Sequence, residues 1–208
     1  MDRTGLINKV KVILDEYTPE GVGTPFEEYI GPLLDESARE IVMEGPLYLL
    51  TPMPIPLESG SPAESILKYA DDRAYIPVPS DFVRLHEVKF PLWKRSVREA
   101  ISQENEEYNM QENEYLRSGY GRPFVALVRK QFSGGALARY LECGKALEDA
   151  VPGTALYVKE SLPEDLAEEF ADTLAWRAAS KVLATLGDVN RAKVALEQSV
   201  IHLSKLIH

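Results

Sequence analysis

The chain has 208 residues, with 23 Lys and Arg against 33 Asp and Glu and a formal net charge of −10. Such a length buries about 70% of the surface that the unfolded chain exposes, so a self-sufficient core is expected. The acidic balance argues against a sequence-independent nucleic-acid binder, which needs a basic face to release counterions from phosphates.

In residues 4–17, Leu6, Val10, Ile13 and Tyr17 recur at helical spacing, with Thr4 as N-cap and Pro19 as stop. The opening MDRTGLINKVKVIL has no signal-peptide core. No apolar run approaches the ~20 residues that span a bilayer, so folding in a cytoplasm and no membrane partner are expected. Thr24 and Pro25 suit the cap and first turn of a second helix. That helix is expected to break at Gly31-Pro32 and to resume with Leu33, Leu34, Ser37, Ala38, Ile41 and Val42 as its apolar stripe, ending at Gly45-Pro46.

Residues 46–62, PLYLLTPMPIPLESGSP, hold five prolines, which preclude a regular helix, and seven apolar residues: Leu47, Tyr48, Leu49, Leu50, Met53, Ile55 and Leu57. Two readings stay open. One is an ordered loop laid over the chain's own core. The other is an extended arm that docks on a neighbouring subunit and loses little entropy in doing so.

A strand at 66–69 is expected to turn at Asp71-Asp72 into 75–78, where Pro77 and Pro79 require an edge or a strand end. Ser80 and Asp81 then turn the chain into a strand over 83–90. Val83 and Leu85 would share one face, and Arg84, His86 and Val88 the other. Pro91 ends it, and a hairpin through 91–94 with 95–101 pairing back places Trp93 near the tip. Residues 102–114 read as a short exposed helix. Strands at 124–128, 137–143 and 155–158, turned at Gly134-Gly135 and Pro152-Gly153, complete an antiparallel meander of five or six strands.

The last fifty residues read as a helical hairpin. Pro163 with Glu164, Asp165, Glu168 and Glu169 suits a helix start, followed by Leu166, Phe170, Leu174, Ala178 and Val182 at spacings of four. Gly187 ends that helix and Asp188 caps the next, with Ala192, Leu196, Ser199, Val200, Leu203 and Ile207 as its buried side. The expected fold class is α+β, with N- and C-terminal helices bundled around a central meander and a Pro-rich arm. One domain, 1–208, would comprise helices at 1–45, the arm at 46–65, the β region at 66–160 and the helical hairpin at 161–208.

The succession IPVPSDFVRLHEVKF, WKRSVREA and EYNMQENEYLRSGYGRPFVALVR resembles the adaptor proteins of tailed double-stranded DNA bacteriophages. These head-tail connector, or head-completion, proteins form a ring under the portal. The resemblance covers residues 75–186 and rests on Pro79, Asp81, Phe82, Arg84, Leu85, Trp93, Tyr108, Arg122 and Pro123 in that order. It implies a virion structural protein of the phage neck, a homo-oligomeric ring of twelve copies, with the portal and the next ring or a tail protein as partners. DNA would pass through the lumen without specific binding. The resemblance leans toward short-tailed phages, including the crAss-like group.

Catalytic constellations are thin. His86, His202 and His208 stand apart, Glu104, Glu106 and Glu107 read as a solvated helix face, and the single cysteine, Cys143, excludes an intramolecular disulfide and a four-cysteine zinc site. Neither a zinc-protease motif nor a phosphate-binding glycine loop occurs, so no catalytic, metal or cofactor residue is expected. The interface candidates are Trp93 as apolar anchor and Arg84, Lys94 and Arg95, with Lys89 and Arg98 nearby, as a positive patch for an acidic neighbour. Tyr48, Leu50, Met53, Ile55 and Leu57 of the arm join them. Two other classes remain open: a monomeric module that binds a peptide or protein on an exposed edge strand, and a small enzyme built from dispersed Glu, Tyr and His86.

Overall fold

A computed structural model describes residues 1–15, 27–57, 67–113, 115–132, 135–146 and 150–207. Tyr17, Pro19, Thr24, Pro25, Ile66, Gly134, His208 and positions 58–62 of the Pro-rich segment lie outside the described residues. The fold is α+β, and the chain divides into a helical unit, Met1–Thr51 with Glu160–His208, and a β unit, Pro52–Lys159.

In the helical unit, α1 (Arg3–Asp15) buries Leu6, Val10, Ile13 and Leu14. Its cap is Asp2, two residues before the expected Thr4. The Asp2 carboxylate accepts the Gly5 N–H at 3.0 Å. Helix α2 (Glu27–Glu44) runs straight through Gly31-Pro32, where a break was expected. A proline removes one N–H from the ladder, and the fully buried Ile30, Leu34, Ala38 and Ile41 on both sides of it outweigh that loss.

The start expected at Pro163 falls later. Pro163–Asp165 and Glu168–Phe170 are single 3-10 turns separated by extended backbone at Leu166, and α4 begins at Ala171 (Ala171–Thr185). Pro163, Leu166 and Phe170 are buried, whereas Leu162, Asp165, Glu168 and Glu169 are exposed. Helix α4 is the hub, packed against α1, α2 and α5 (Val189–Ile207). Its buried residues surround the axis, as in a central helix, and Ala175, Ala178 and Ala179 let neighbours approach closely. Gly187, at φ +81°, ends the helix in the left-handed conformation that glycine adopts without strain. Asp188 Oδ1 then caps α5 by accepting the Arg191 N–H at 3.2 Å.

The buried face of α5 is Ala192, Ala195, Ser199 and Leu203. Arg177 Nε donates to Ser199 Oγ at 3.2 Å, Ser199 Oγ to the Thr173 carbonyl at 3.2 Å, and Ser180 Oγ to the Ala192 carbonyl at 2.7 Å. These bonds fix the rotation of α5 about its axis. Leu196, Val200 and Ile207, expected on the buried side, consequently face solvent.

The β unit holds two sheets in place of one meander. One has the order β1 (Pro52–Pro54), β8 (Thr154–Lys159), β4 (Phe82–Lys89). The other runs β2 (Lys68–Ala70), β3 (Arg73–Pro77), β7 (Ala138–Gly144), β6 (Val125–Lys130), β5 (Ile101–Ser102). All pairs are antiparallel except β5 with β6. The two sheets share a core that includes Phe82, Leu85, Val88, Ile76, Leu141 and Tyr157. Asp71 and Asp72, at φ 54° and 61°, make the tight turn between β2 and β3. Strand β3 is interior, and Pro77 sits at its end.

Strand β4 departs from the expected alternation. Bulges between Phe82 and Arg84 and between Leu85 and Glu87 each add a residue. Burial therefore falls at Phe82, Leu85 and Val88, three apart. Only Val97 of the expected return strand pairs with β4, through a single bridge to Val88.

If α4 is the hub, Leu174→Ala should lower unfolding free energy by about 2–5 kcal/mol, whereas Leu196→Ala on the solvent face of α5 should stay within about 0.5 kcal/mol of the parent. Urea denaturation of the two variants measures the contrast.

Candidate functional site

The hairpin after β4 turns one residue earlier than expected. Trp93 N–H donates to the Phe90 carbonyl at 3.0 Å across Pro91-Leu92, so Pro91 and Leu92 form the tip. Trp93 is the first residue of the return and turns inward. It is only 2% exposed, its ring lies 5.1 Å from that of Phe90, and its indole N–H donates to the Lys145 carbonyl at 3.1 Å. The expected surface anchor is thus a core residue.

Lys94 and Arg95, next in the chain, do reach the surface. The Lys94 N–H donates to the Tyr120 carbonyl at 2.9 Å, and the Arg122 N–H to the Gly119 carbonyl at 3.0 Å. The second bond closes the turn at 119–122, and the first joins that turn to the hairpin and brings Lys94 and Arg95 to the segment that carries Arg117 and Arg122. Arg95, Arg117 and Arg122 line a pocket of about 540 Å³ together with Met110, Tyr115, Leu116 and Phe124. Glu107 is the carboxylate on its lining among the described residues. None of the three guanidiniums forms an ion pair with a described residue, in a protein of net charge −10.

One wall of the pocket is α3 (Glu106–Asn109) with the 3-10 turn Met110–Glu112. Asn105 caps α3 by accepting the Glu107 N–H at 2.9 Å, and Gln111 Oε1 accepts the Ser118 N–H at 2.8 Å. Tyr108 holds α3 to the sheet, donating to Glu142 Oε2 at 3.1 Å. Glu142 is only 2% exposed on β7 and is ion-paired with Arg73 of β3. A buried carboxylate requires such partners. Burial works against the Arg73 guanidinium, but Glu142 more than compensates and holds its pKa above the usual value. The Tyr108 hydroxyl is pushed up from 10.0 to about 12, first by burial and then by the Glu142 charge.

The floor depends on Gly144. A Cβ there would lie 2.0 Å from Phe124 Cε1, so only glycine admits that ring.

The remaining candidates disperse. Arg84, half-buried on β4, has its pKa lowered by burial and does not line the pocket. Arg98 reaches toward Glu87 at 3.8 Å. In the Pro-rich segment, Leu50 and Ile55 are buried, and Leu57 packs against the core of the β unit. Met53 lies on β1, which pairs with β8, and is partly exposed. Tyr48 is exposed, and its hydroxyl donates to the Leu206 carbonyl. Over residues 46–57 the segment is therefore laid on its own chain, and it is not a free arm. Arg117 escaped the sequence reading because its neighbours in space are distant in sequence. The arginines flanking the glycine turn in RSGYGR were the available signal. The chain matches no protein-family model and no curated protein.

Two outcomes are expected. Gly144→Ala should cost about 1–3 kcal/mol by overpacking, and adding Phe124→Ala should recover part of that loss in a double-mutant cycle. Between pH 10 and about 12 the unfolded chain loses the Tyr108 proton while the folded chain retains it. Stability should therefore fall across that window, and Tyr108→Phe should remove this share of the slope in urea titrations at stepped pH.

Proposed function

We propose that this chain is a structural protein of a tailed-phage virion, an adaptor that binds below the portal as a ring, extends the DNA channel and connects head to tail. The observation that carries the reading is an apolar stripe left bare on α5. Val189, Leu196, Val200 and Ile207 follow at spacings of seven, four and seven, which is one helix face, and are 71%, 45%, 52% and 55% exposed. An apolar stripe of this length on a surface helix marks a place where another protein packs.

Two further features support it. The order of motifs between residues 75 and 186 resembles the adaptor family, which implies twelve copies and a portal partner. The net charge of −10 suits a channel wall from which phosphates are repelled. The edges of the three-stranded sheet are poorly suited to binding a peptide strand. Strand β1 has two prolines in three residues and β4 is bulged twice, both devices that blunt strand addition.

Light scattering of the purified chain, alone and mixed with a candidate portal from its gene neighbourhood, tests the reading. A large stoichiometric complex is expected, and Leu196→Asp with Val200→Asp should prevent it while leaving the helical circular dichroism unchanged. A chain that stays monomeric beside the portal would overturn the adaptor reading.

A further inference from the structure

Arg95, Arg117 and Arg122 converge on one concave pocket with an apolar rim of Met110, Tyr115 and Leu116; none is ion-paired with a described residue, and Arg117 also feels the charge of Asp72, which Lys145 pairs. A guanidinium is suited to bidentate pairing with carboxylates, and three at one pocket call for a ligand carrying several. Most acidic groups on the described helical surfaces already have cations: Asp35 and Glu164 have Arg3, Asp172 has Lys9, Glu36 and Glu40 have Lys181, and Glu44 has Arg177. Asp165, Glu168 and Glu169 have none among the described residues. They are exposed, fall within five residues, and stand beside the exposed Leu162.

We propose that the pocket receives the acidic segment 162–169 of a second copy of this chain, with Asp165, Glu168 and Glu169 meeting the three arginines and Leu162 meeting the apolar rim. The segment is held in shape by the buried Pro163, Leu166 and Phe170, so little conformational freedom is lost on docking. The exposed acids in and around α3, Glu104, Glu106, Glu107 and Glu112, stand on or beside the pocket's own wall and so belong to the receiving face. Because the pocket and the segment are different surfaces, the contact is heterologous. Repeated copy to copy, such a contact generates a ring when the rotation closes and a filament when it does not. This contact rests on the ring reading and supplies the joint between neighbouring copies.

A charge swap tests it. One full-length variant carries Arg117→Glu and Arg122→Glu, and the other Asp165→Lys, Glu168→Lys and Glu169→Lys. All five sites are exposed, and circular dichroism checks that both variants fold. In low salt, sedimentation should show self-association of the parent chain weakened about tenfold or more in each variant alone. The equimolar mixture should regain it, since a reversed pocket then faces a reversed segment. Variants that associate like the parent, a mixture that stays dissociated, or a parent that is monomeric at every concentration would each overturn the contact. So would a DNA duplex whose binding is lost with the arginines while self-association is unchanged. Complex formation with the portal is read separately, so this contact can fail while the adaptor reading stands.

Discussion

A carboxylate removed from water has to be paired, and in the β unit that requirement falls on Glu142. Arg73 meets it from β3 and Tyr108 from α3, so one buried acid ties together two strands and the short helix lying over them. Removing one partner of such a pair leaves a buried charge uncompensated, a cost of about 3–5 kcal/mol. The arrangement therefore has one stable solution. Its consequence reaches the surface: with α3 held to the sheet, Met110 and Gln111 stand on one side of the pocket, Phe124 seats on Gly144, and the guanidiniums of Arg95, Arg117 and Arg122 converge there.

The helical unit solves a different problem. Helix α4 is apolar or small nearly all round, so it needs partners on every side, and α1, α2 and α5 provide them. The polar groups buried with it, Arg177, Ser180 and Thr173, accept one rotation of α5 and no other, because only that rotation presents Ser199 and the Ala192 carbonyl. What α5 then turns outward is a line of Val, Leu and Ile. In the proposed reading this line and the cationic pocket have separate roles, the first as a packing surface and the second as a selector of register, in keeping with the division between apolar burial and charge complementarity at interfaces.

Helix existence and the approximate positions of most strands were legible, because period and turn chemistry are local signals, whereas the order of the strands in two sheets was not. The stripe of α1, the turn at Asp71-Asp72, the stop at Gly187 and the cap at Asp188 were all readable from near neighbours. The misses share a cause, which is that tertiary contacts decided among options the local sequence left equivalent. Pro32 was tolerated because burial flanks it. The face of α5 was set by hydrogen bonds from α4, and both candidate faces are apolar. Alternation in β4 gave way to two bulges. Trp93 moved from tip to core because the turn closed at Phe90 and the Lys145 carbonyl satisfied its indole. The pocket was half legible: Lys94 and Arg95 stood out as a basic run, but Arg117 and Arg122 reach them only through the backbone bond from Lys94 to Tyr120.

Electron microscopy of the chain mixed with a candidate portal tests most directly the proposal that the chain closes into a ring there. Averaged views are expected in which an added ring of twelve copies, with an open central channel, sits at the foot of the portal. Portals that remain bare beside single, separate copies of the chain would contradict it.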